Sequence, residues 1–320
     1  MKKIIKITFI NILLIGLIFC LSEFLVYRHH VNTHYDKHPR NQSINKFSYT
    51  TYLPSYMTDL EKFFDNNNNI YAGRKPDGLE YQSKNPIVIF GCSYAFGQYL
   101  NYNQTLSYKL ANSLKRSVYN RGISGGSFPH LYMQANSESL YKTIPNTDTV
   151  IYIMIHDHAR RMFLNYFDVL DLHVLPHYSI KNNTFVMDNY NNKALNFFNS
   201  LYTVKAINHA YADNYFYNPH NAEKLTDIIT LYFTESRKKL EEKWNKKLTF
   251  HILLYEDWGI RYKDLLTKKL KQNGFIVTST NDLTDEDLTS EKYMMQDNYH
   301  PTEAAWDLLT PKIIEKFGLK

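Results

Sequence analysis

Two short segments of this chain carry side chains whose types and spacing suit nucleophilic chemistry. The first is Pro86-Ile-Val-Ile-Phe-Gly91-Cys92-Ser93-Tyr94-Ala95-Phe96-Gly97, which puts a serine on the turn behind an apolar run. The second is Asp297-Asn298-Tyr299-His300-Pro301-Thr302, which sets a carboxylate and an imidazole three residues apart. A serine hydroxyl is inert near neutral pH unless a base lies within hydrogen-bond reach. An imidazole serves as that base best when a carboxylate fixes its tautomer and stabilises its cation. Ser93, His300 and Asp297 thus supply nucleophile, base and orienting acid. Gly-x-Ser-x-x-x-Gly is cheap by chance, so the argument needs both segments and the elements that carry them.

Those elements can be read from periodicity. Ile87 to Phe90 is continuously apolar, as in a strand covered on both faces. Leu106, Leu110 and Leu114 predict a helix from Thr105 to Leu114. Ser117 to Asn120 reads as a short strand running into the glycine-rich turn Gly122-Ile-Ser-Gly125-Gly126. A helix is expected from Leu131 to Tyr141, and strands over Thr149–Ile155, the strongest in the chain, and Leu248–Tyr255. A helix from Tyr262 to Gln272 closes at Gly274, and Phe275–Thr278 is a last short strand. Thr302 to Phe317 is the terminal helix, and Pro301 suits its first turn. Strands alternating with helices imply parallel βαβ units and a sheet covered on both faces. Ligands bind beyond the carboxyl ends of such strands. Four polar clusters fall there or in later loops: Gly91-Cys92-Ser93, Gly122 to Gly125, His156-Asp157-His158, and Asp297 with His300.

The remainder of the chain reads less regularly. Residues 28–84 look like a stalk or irregular extension, with a short helix over Tyr56–Phe64 and turn chemistry at Asn66–Asn69 and Gly73–Gly78. From about residue 161 to 223 the alternation fails in a stretch rich in Tyr, Phe and Asn, an insertion or lid over the domain. Net charge is +6 with 44% hydrophobic and 15% aromatic residues. Basic residues are scattered, or mixed with acids as in Arg237–Lys247, which reads as a solvated helix face. No basic stripe suggests nucleic acid.

The N-terminus carries an address. Lys2, Lys3 and Lys6 precede an apolar run from about Ile7 to Val26, close to the ~20 residues that span a bilayer. Lysines ahead of the run favour a cytoplasmic N-terminus, which places the rest on the far side of the inner membrane. No small-x-small cleavage site follows, so residues 1–27 are expected to be a retained signal anchor, with a cleaved signal as the alternative. Cys20 follows the bulky Phe19, an unfavourable context for lipidation. The other cysteine, Cys92, adjoins Ser93 and is a rival nucleophile.

The order and spacing of the blocks resemble the SGNH, or GDSL-type, hydrolase superfamily. The resemblance rests on Gly91-Cys92-Ser93-x-x-x-Gly97, Asn120-x-Gly122-x-Ser124-Gly125, Asp157-His158-x-x-Arg161 and Asp297-x-x-His300-Pro301, a variant found among membrane-anchored or exported bacterial members. It covers about residues 86–160 and 248–318. It implies a three-layer α/β/α fold with a mostly parallel, flavodoxin-like sheet over residues 85–320, preceded by the N-terminal transmembrane helix. It also implies Ser93 as nucleophile, His300 as base and Asp297 as orienting acid. Oxyanion donors would be the backbone N–H groups of Ser93 and Gly125. The third family block ordinarily adds an asparagine amide; here an imidazole would stand in, His158 ahead of His156. Read instead as metal ligands, these two histidines need a third convergent partner, and of Asp157, Asp297 and His300 the last two are already used. No cofactor or metal is expected. The expected substrate is an O-acyl, chiefly O-acetyl, ester of a cell-envelope polysaccharide. The alternatives are an O-acyltransferase on the same triad and a non-catalytic envelope-assembly or carbohydrate-binding protein.

Overall fold

The structure, a computed structural model, describes residues 16, 18, 20–25, 60–64, 70–74, 77, 78, 81, 85–144, 147–162, 178–181, 184–187, 215, 218–255, 262–297 and 299–320. The chain divides into two compact units, Met1–Tyr52 with Asn189–Tyr211, and Leu53–Asp188 with Ala212–Lys320. The expected anchor at residues 1–27 lies in the first unit and mostly outside the described residues; Gly16, Ile18 and residues 20–25 are helical. Among the described residues no helix is long and apolar enough to cross a membrane. The fold and the site described next belong to the second unit.

Its strands are β1 (Leu60–Phe64), β2 (Ile70–Arg74), β3 (Ile87–Gly91), β4 (Val118–Gly122), β5 (Thr149–Met154), β6 (Tyr178–Lys181), β7 (Thr184–Met187), β8 (Thr249–Leu254) and β9 (Ile276–Ser279). Its helices are α1 (Ser93–Phe96), α2 (Leu106–Leu114), α3 (Phe128–Asn136), α4 (Glu138–Thr143), α5 (Asp157–Arg161), α6 (Ala222–Trp244), α7 (Lys263–Gln272) and α8 (Glu303–Phe317). Five strands form one sheet in the order β4-β3-β5-β8-β9, and every neighbouring pair is parallel. This is the doubly wound order of the flavodoxin type. β1 and β2, and β6 and β7, are separate antiparallel pairs.

Both faces of the sheet are buried, which explains why its strands lack polar alternation. Val88, Phe90, Val150, Tyr152, Phe250 and Ile252 point to one layer, with Phe128 and Leu131 of α3, Ile229 and Phe233 of α6, and Leu266 and Leu270 of α7. Ile87, Ile89, Ile151, Ile153 and Leu253 point to the other, with Leu106 and Leu110 of α2 and Trp306, Leu309 and Ile313 of α8. The three-layer α/β/α arrangement is therefore present.

Four local expectations need correction. Residues 60–64 form a strand paired with β2, Leu60 opposite Arg74, and not part of a helix. The helix expected over 131–141 is two helices divided at Ser137, whose extended backbone (ψ 123°) starts α4 afresh. Thr302 lies outside α8 as its N-cap, its side chain accepting from the Ala305 N–H. Pro301 accordingly precedes the helix and forms a β-bridge with Met294.

One buried group makes stability depend on pH. The His251 ring stacks on Phe317 with centroids 4.3 Å apart and is 1% exposed. Burial pushes its imidazole down to about 4 from the ordinary 6.5. The unfolded chain therefore binds a proton between those values that the folded chain refuses. The stability tied to neutral His251 is complete above pH 6.5 and drains as pH falls toward 4. His251→Phe should flatten that decline by on the order of 1–3 kcal/mol, read by urea unfolding at pH 7 and pH 4.5. An unchanged decline would assign it to other groups.

Candidate active site

Ser93 is the first residue of α1, one turn long, which leaves the end of β3 and stops at Gly97 in a left-handed C-cap. Its placement depends on the next strand. A Cβ on Gly122 at the end of β4 would sit 2.4 Å from the Phe96 nitrogen and 2.8 Å from the Ala95 carbonyl carbon. Backbone there packs on backbone, and no side chain fits. Asn120, 1% exposed, bolts the contact: its Nδ2 donates to Ala95 O (2.7 Å) and Ser107 Oγ (3.1 Å), and its Oδ1 accepts from the Gly122 N–H (3.0 Å).

His300 and Asp297 lie on a clamped loop ahead of α8. The Met295 N–H donates to His300 O (2.7 Å) and the Thr302 N–H to Tyr293 O (2.9 Å). Inside it Asp297 Oδ1 accepts from the backbone N–H groups of Tyr299 (2.9 Å) and His300 (3.0 Å). The Tyr94 hydroxyl donates to Tyr299 O and so ties the serine helix to this loop. Tyr94, Tyr99 and Tyr299 surround the His300 ring with centroids 5.8, 5.3 and 5.8 Å away.

The three predicted residues meet. Ser93 Oγ lies 2.8 Å from His300 Nε2, and His300 Nδ1 lies 2.6 Å from Asp297 Oδ2. They form a serine–histidine–aspartate triad. Burial would raise the Asp297 carboxyl, but its bond to His300, the charge of that ring and the two backbone N–H groups outweigh it and hold it at about 2. Asp297 is therefore ionised throughout the neutral range, as an orienting acid must be.

A turn beside Ser93 supplies donors. The Gly126 N–H donates to Ile123 O (2.7 Å), closing a β-turn over Ile123–Gly126, and Gly125 has φ +74°. Positive φ at the third residue alone makes this a type II turn, with glycine at the position that favours it. The turn abuts the serine strand, since the Ile123 N–H donates to Gly91 O (3.0 Å). Among the described residues, the Ser93 and Gly125 N–H groups have no hydrogen-bond partner.

The third block places its two histidines in different surroundings. The His158 ring is fully buried, with Nδ1 3.0 Å from the Tyr152 hydroxyl, and lies edge-on to Phe128. Burial drives its imidazole well below 6.5, so it is neutral, and its Nε2 is buried with no hydrogen-bond partner among the described residues. His156, at the N-cap of α5, is the half-buried one, and burial lowers it to about 4. Cys92, the rival nucleophile, is 0% exposed and its thiol is raised by burial, so it is no thiolate.

Arg161 is the residue that sequence reasoning quoted without a role. Its Nε lies 2.6 Å from Asp157 Oδ2, and its Nη1 donates to Gly126 O (3.0 Å). Burial opposes both charges, yet Asp157 stays well below the ordinary carboxyl range because Arg161 and Arg160 outweigh it. A buried ion pair thus braces the Ile123–Gly126 turn. The only signal for it in the sequence is the pairing of Asp157 and Arg161 one helical turn apart.

No family model and no curated protein matches the chain. Among solved structures, it is similar to a candidate lipolytic protein of the G-D-S-L family from Desulfitobacterium hafniense, at 11% identity and a TM-score of 0.44, covering 72% of this chain and 98% of that one. Candidate GDSL-like lipases from Bacteroides ovatus and Bacteroides uniformis are similar at 11% and 12% identity, with TM-scores of 0.39 and 0.38. They cover 73% and 74% of this chain and 98% and 97% of theirs.

Arg161→Met should destabilise the fold by about 3–5 kcal/mol, because it leaves buried Asp157 short of a partner. Adding Asp157→Asn should return part of the stability and none of the turnover on a soluble ester. Recovery of both together would reduce Arg161 to a folding role.

Proposed function

We propose that this chain is a serine esterase that removes O-acyl, chiefly O-acetyl, groups from a cell-envelope polysaccharide. The continuous Asp297–His300–Ser93 hydrogen-bond chain carries the proposal. His300 Nε2 takes the Ser93 proton as Oγ attacks the ester carbonyl. The Ser93 and Gly125 N–H groups stabilise the oxyanion, the role for which unpaired backbone donors are suited. Collapse expels the alcohol, which receives the proton from His300, and leaves an acyl-serine. Water, deprotonated by the same imidazole, then releases the acid and restores Ser93. A sugar hydroxyl in place of that water would give O-acyl transfer, and product analysis separates the two. The glycan substrate rests on the expected location and the family resemblance.

A tether to the inner membrane, with the catalytic unit outside the cytoplasm, belongs to the same reading. Ile18, Leu21, Phe24 and Leu25 are 56–60% exposed on the helical residues of the N-terminal apolar run. That exposure favours an apolar surrounding.

A fluorophosphonate should label Ser93 in the wild type. Ser93→Ala and His300→Ala should each lower ester hydrolysis on the order of 10⁵-fold or more, with the double variant no worse, because the pair acts as a unit. Asp297→Asn should cost less, on the order of 10⁴-fold. Hydrolysis that survives Ser93→Ala and vanishes with Cys92→Ala would overturn the assignment.

The full chain should stay in the membrane fraction through a high-salt wash, and protease outside the inner membrane should digest the catalytic unit. A chain beginning near Ser48 should be soluble. A mature N-terminus near residue 27 in the soluble fraction would replace the tether with a cleaved signal.

A further inference from the structure

The turn behind α1 holds a residue at odds with its backbone. The Leu100 N–H donates to Gly97 O (3.1 Å), so residues 97–100 form a β-turn, and its third residue, Tyr99, has φ +66°. That position of a type II turn favours glycine or asparagine. A bulky side chain there costs backbone energy that glycine avoids. The turn is anchored on both sides: the Gln98 N–H donates to Ser93 O (2.9 Å), and Leu100 is 2% exposed.

Burial does not offset the strain. Tyr99 is 37% exposed; outside the N-terminal segment, Ile276 is the other large apolar side chain this exposed among the described residues. Its ring stands against the catalytic imidazole, with centroids 5.3 Å apart and planes at 87°. Tyr99 is thus an exposed aromatic ring on a strained backbone, beside the catalytic base.

We propose that Tyr99 contacts the substrate and forms one wall of the alcohol side of the site, where it packs against a sugar ring. The proposal rests on the esterase reading. His300 Nε2 hands its proton to the departing alkoxide, so the alcohol portion of the ester lies next to this imidazole. Of the rings around that imidazole, exposed Tyr99 is the one within reach of the alcohol, whereas Tyr94 is 1% exposed. An exposed tyrosine offers a flat apolar face with a polar tip. A pyranose matches it, with C–H faces rimmed by hydroxyls.

Two esters that differ in the alcohol test this: 6-O-acetylglucose and methyl acetate, whose alcohol is too small to span both groups. Tyr99→Gly and Tyr99→Asn both suit the left-handed backbone and delete the ring. Each should lower the ratio of kcat/KM for acetylglucose to that for methyl acetate by about five- to tenfold, mainly through the KM of the sugar ester. Tyr99→Phe should hold the ratio within about twofold, and Tyr99→Gly should melt no lower than the wild type. A ratio unchanged in the Gly and Asn variants overturns the proposal, because a ring that merely positions His300 lowers both esters alike. A Gly variant that melts well below the wild type overturns the strain argument, and with it the proposal. Fluorophosphonate labelling separates the two levels. Without labelling of wild-type Ser93 the esterase reading falls and takes this one with it. With labelling, the Tyr99 series decides this proposal alone.

Discussion

The Ser93–His300 hydrogen bond spans 207 positions of sequence, and no local element holds it. Its 2.8 Å depends on how one helical layer packs against the sheet. α2 and α8 share a core on that face through Leu106, Leu110, Trp306, Leu309 and Ile313. Polar contacts fix their slide: Gln104 Nε2 meets Glu303 Oε2 at 2.7 Å, and Lys109 Nζ meets Glu303 at 3.3 Å and Asp307 at 2.5 Å. The apolar layer gives the attraction and these contacts give the register, since each exposed ion pair adds little energy of its own. A shift of α8 by a fraction of a turn would leave every helix intact and separate base from nucleophile.

Around that bond the site is built from backbone more than from side chains. Gly122 lets β4 touch the serine helix directly, Asn120 locks the contact, and the type II turn exposes the Gly125 N–H beside Gly91. The Arg161–Asp157 pair behind the turn is buried and charged on both sides. Such a pair contributes little net stability, while loss of either partner is expensive. Its value lies in holding the Gly126 carbonyl in one orientation.

The sheet and the triad were legible because their signals are local and redundant. Unbroken apolar runs at Ile87–Phe90 and Thr149–Ile155 admit little but covered strands, and Asp297-x-x-His300 brings acid and base together within one loop. Other features depend on neighbours that sequence does not display. Leu60, Phe63 and Phe64 fit helix spacing as well as a strand, and the pairing with β2 decides between them. Strand alternation would set His156 and His158 on one face, but β5 ends at Met154 and α5 begins at Asp157. Helical geometry there sends the two rings to different surroundings, one to the core against Tyr152 and one to the half-buried strand end. Tyr99 carried no signal, because only φ reveals the turn type.

The burial of Cys92 has a consequence for the working life of the site. A thiol next to a catalytic serine would ordinarily be its weak point wherever oxidants are abundant, since a sulfenic acid or mixed disulfide would jam the turn that carries the nucleophile. Oxidation proceeds through the thiolate and needs access, and Cys92 has neither: it is 0% exposed and its thiol is raised by burial. It packs as a small hydrophobe with Tyr94 and Ala95 of α1. The site can thus keep a cysteine one residue from its serine without depending on a reductant to preserve it.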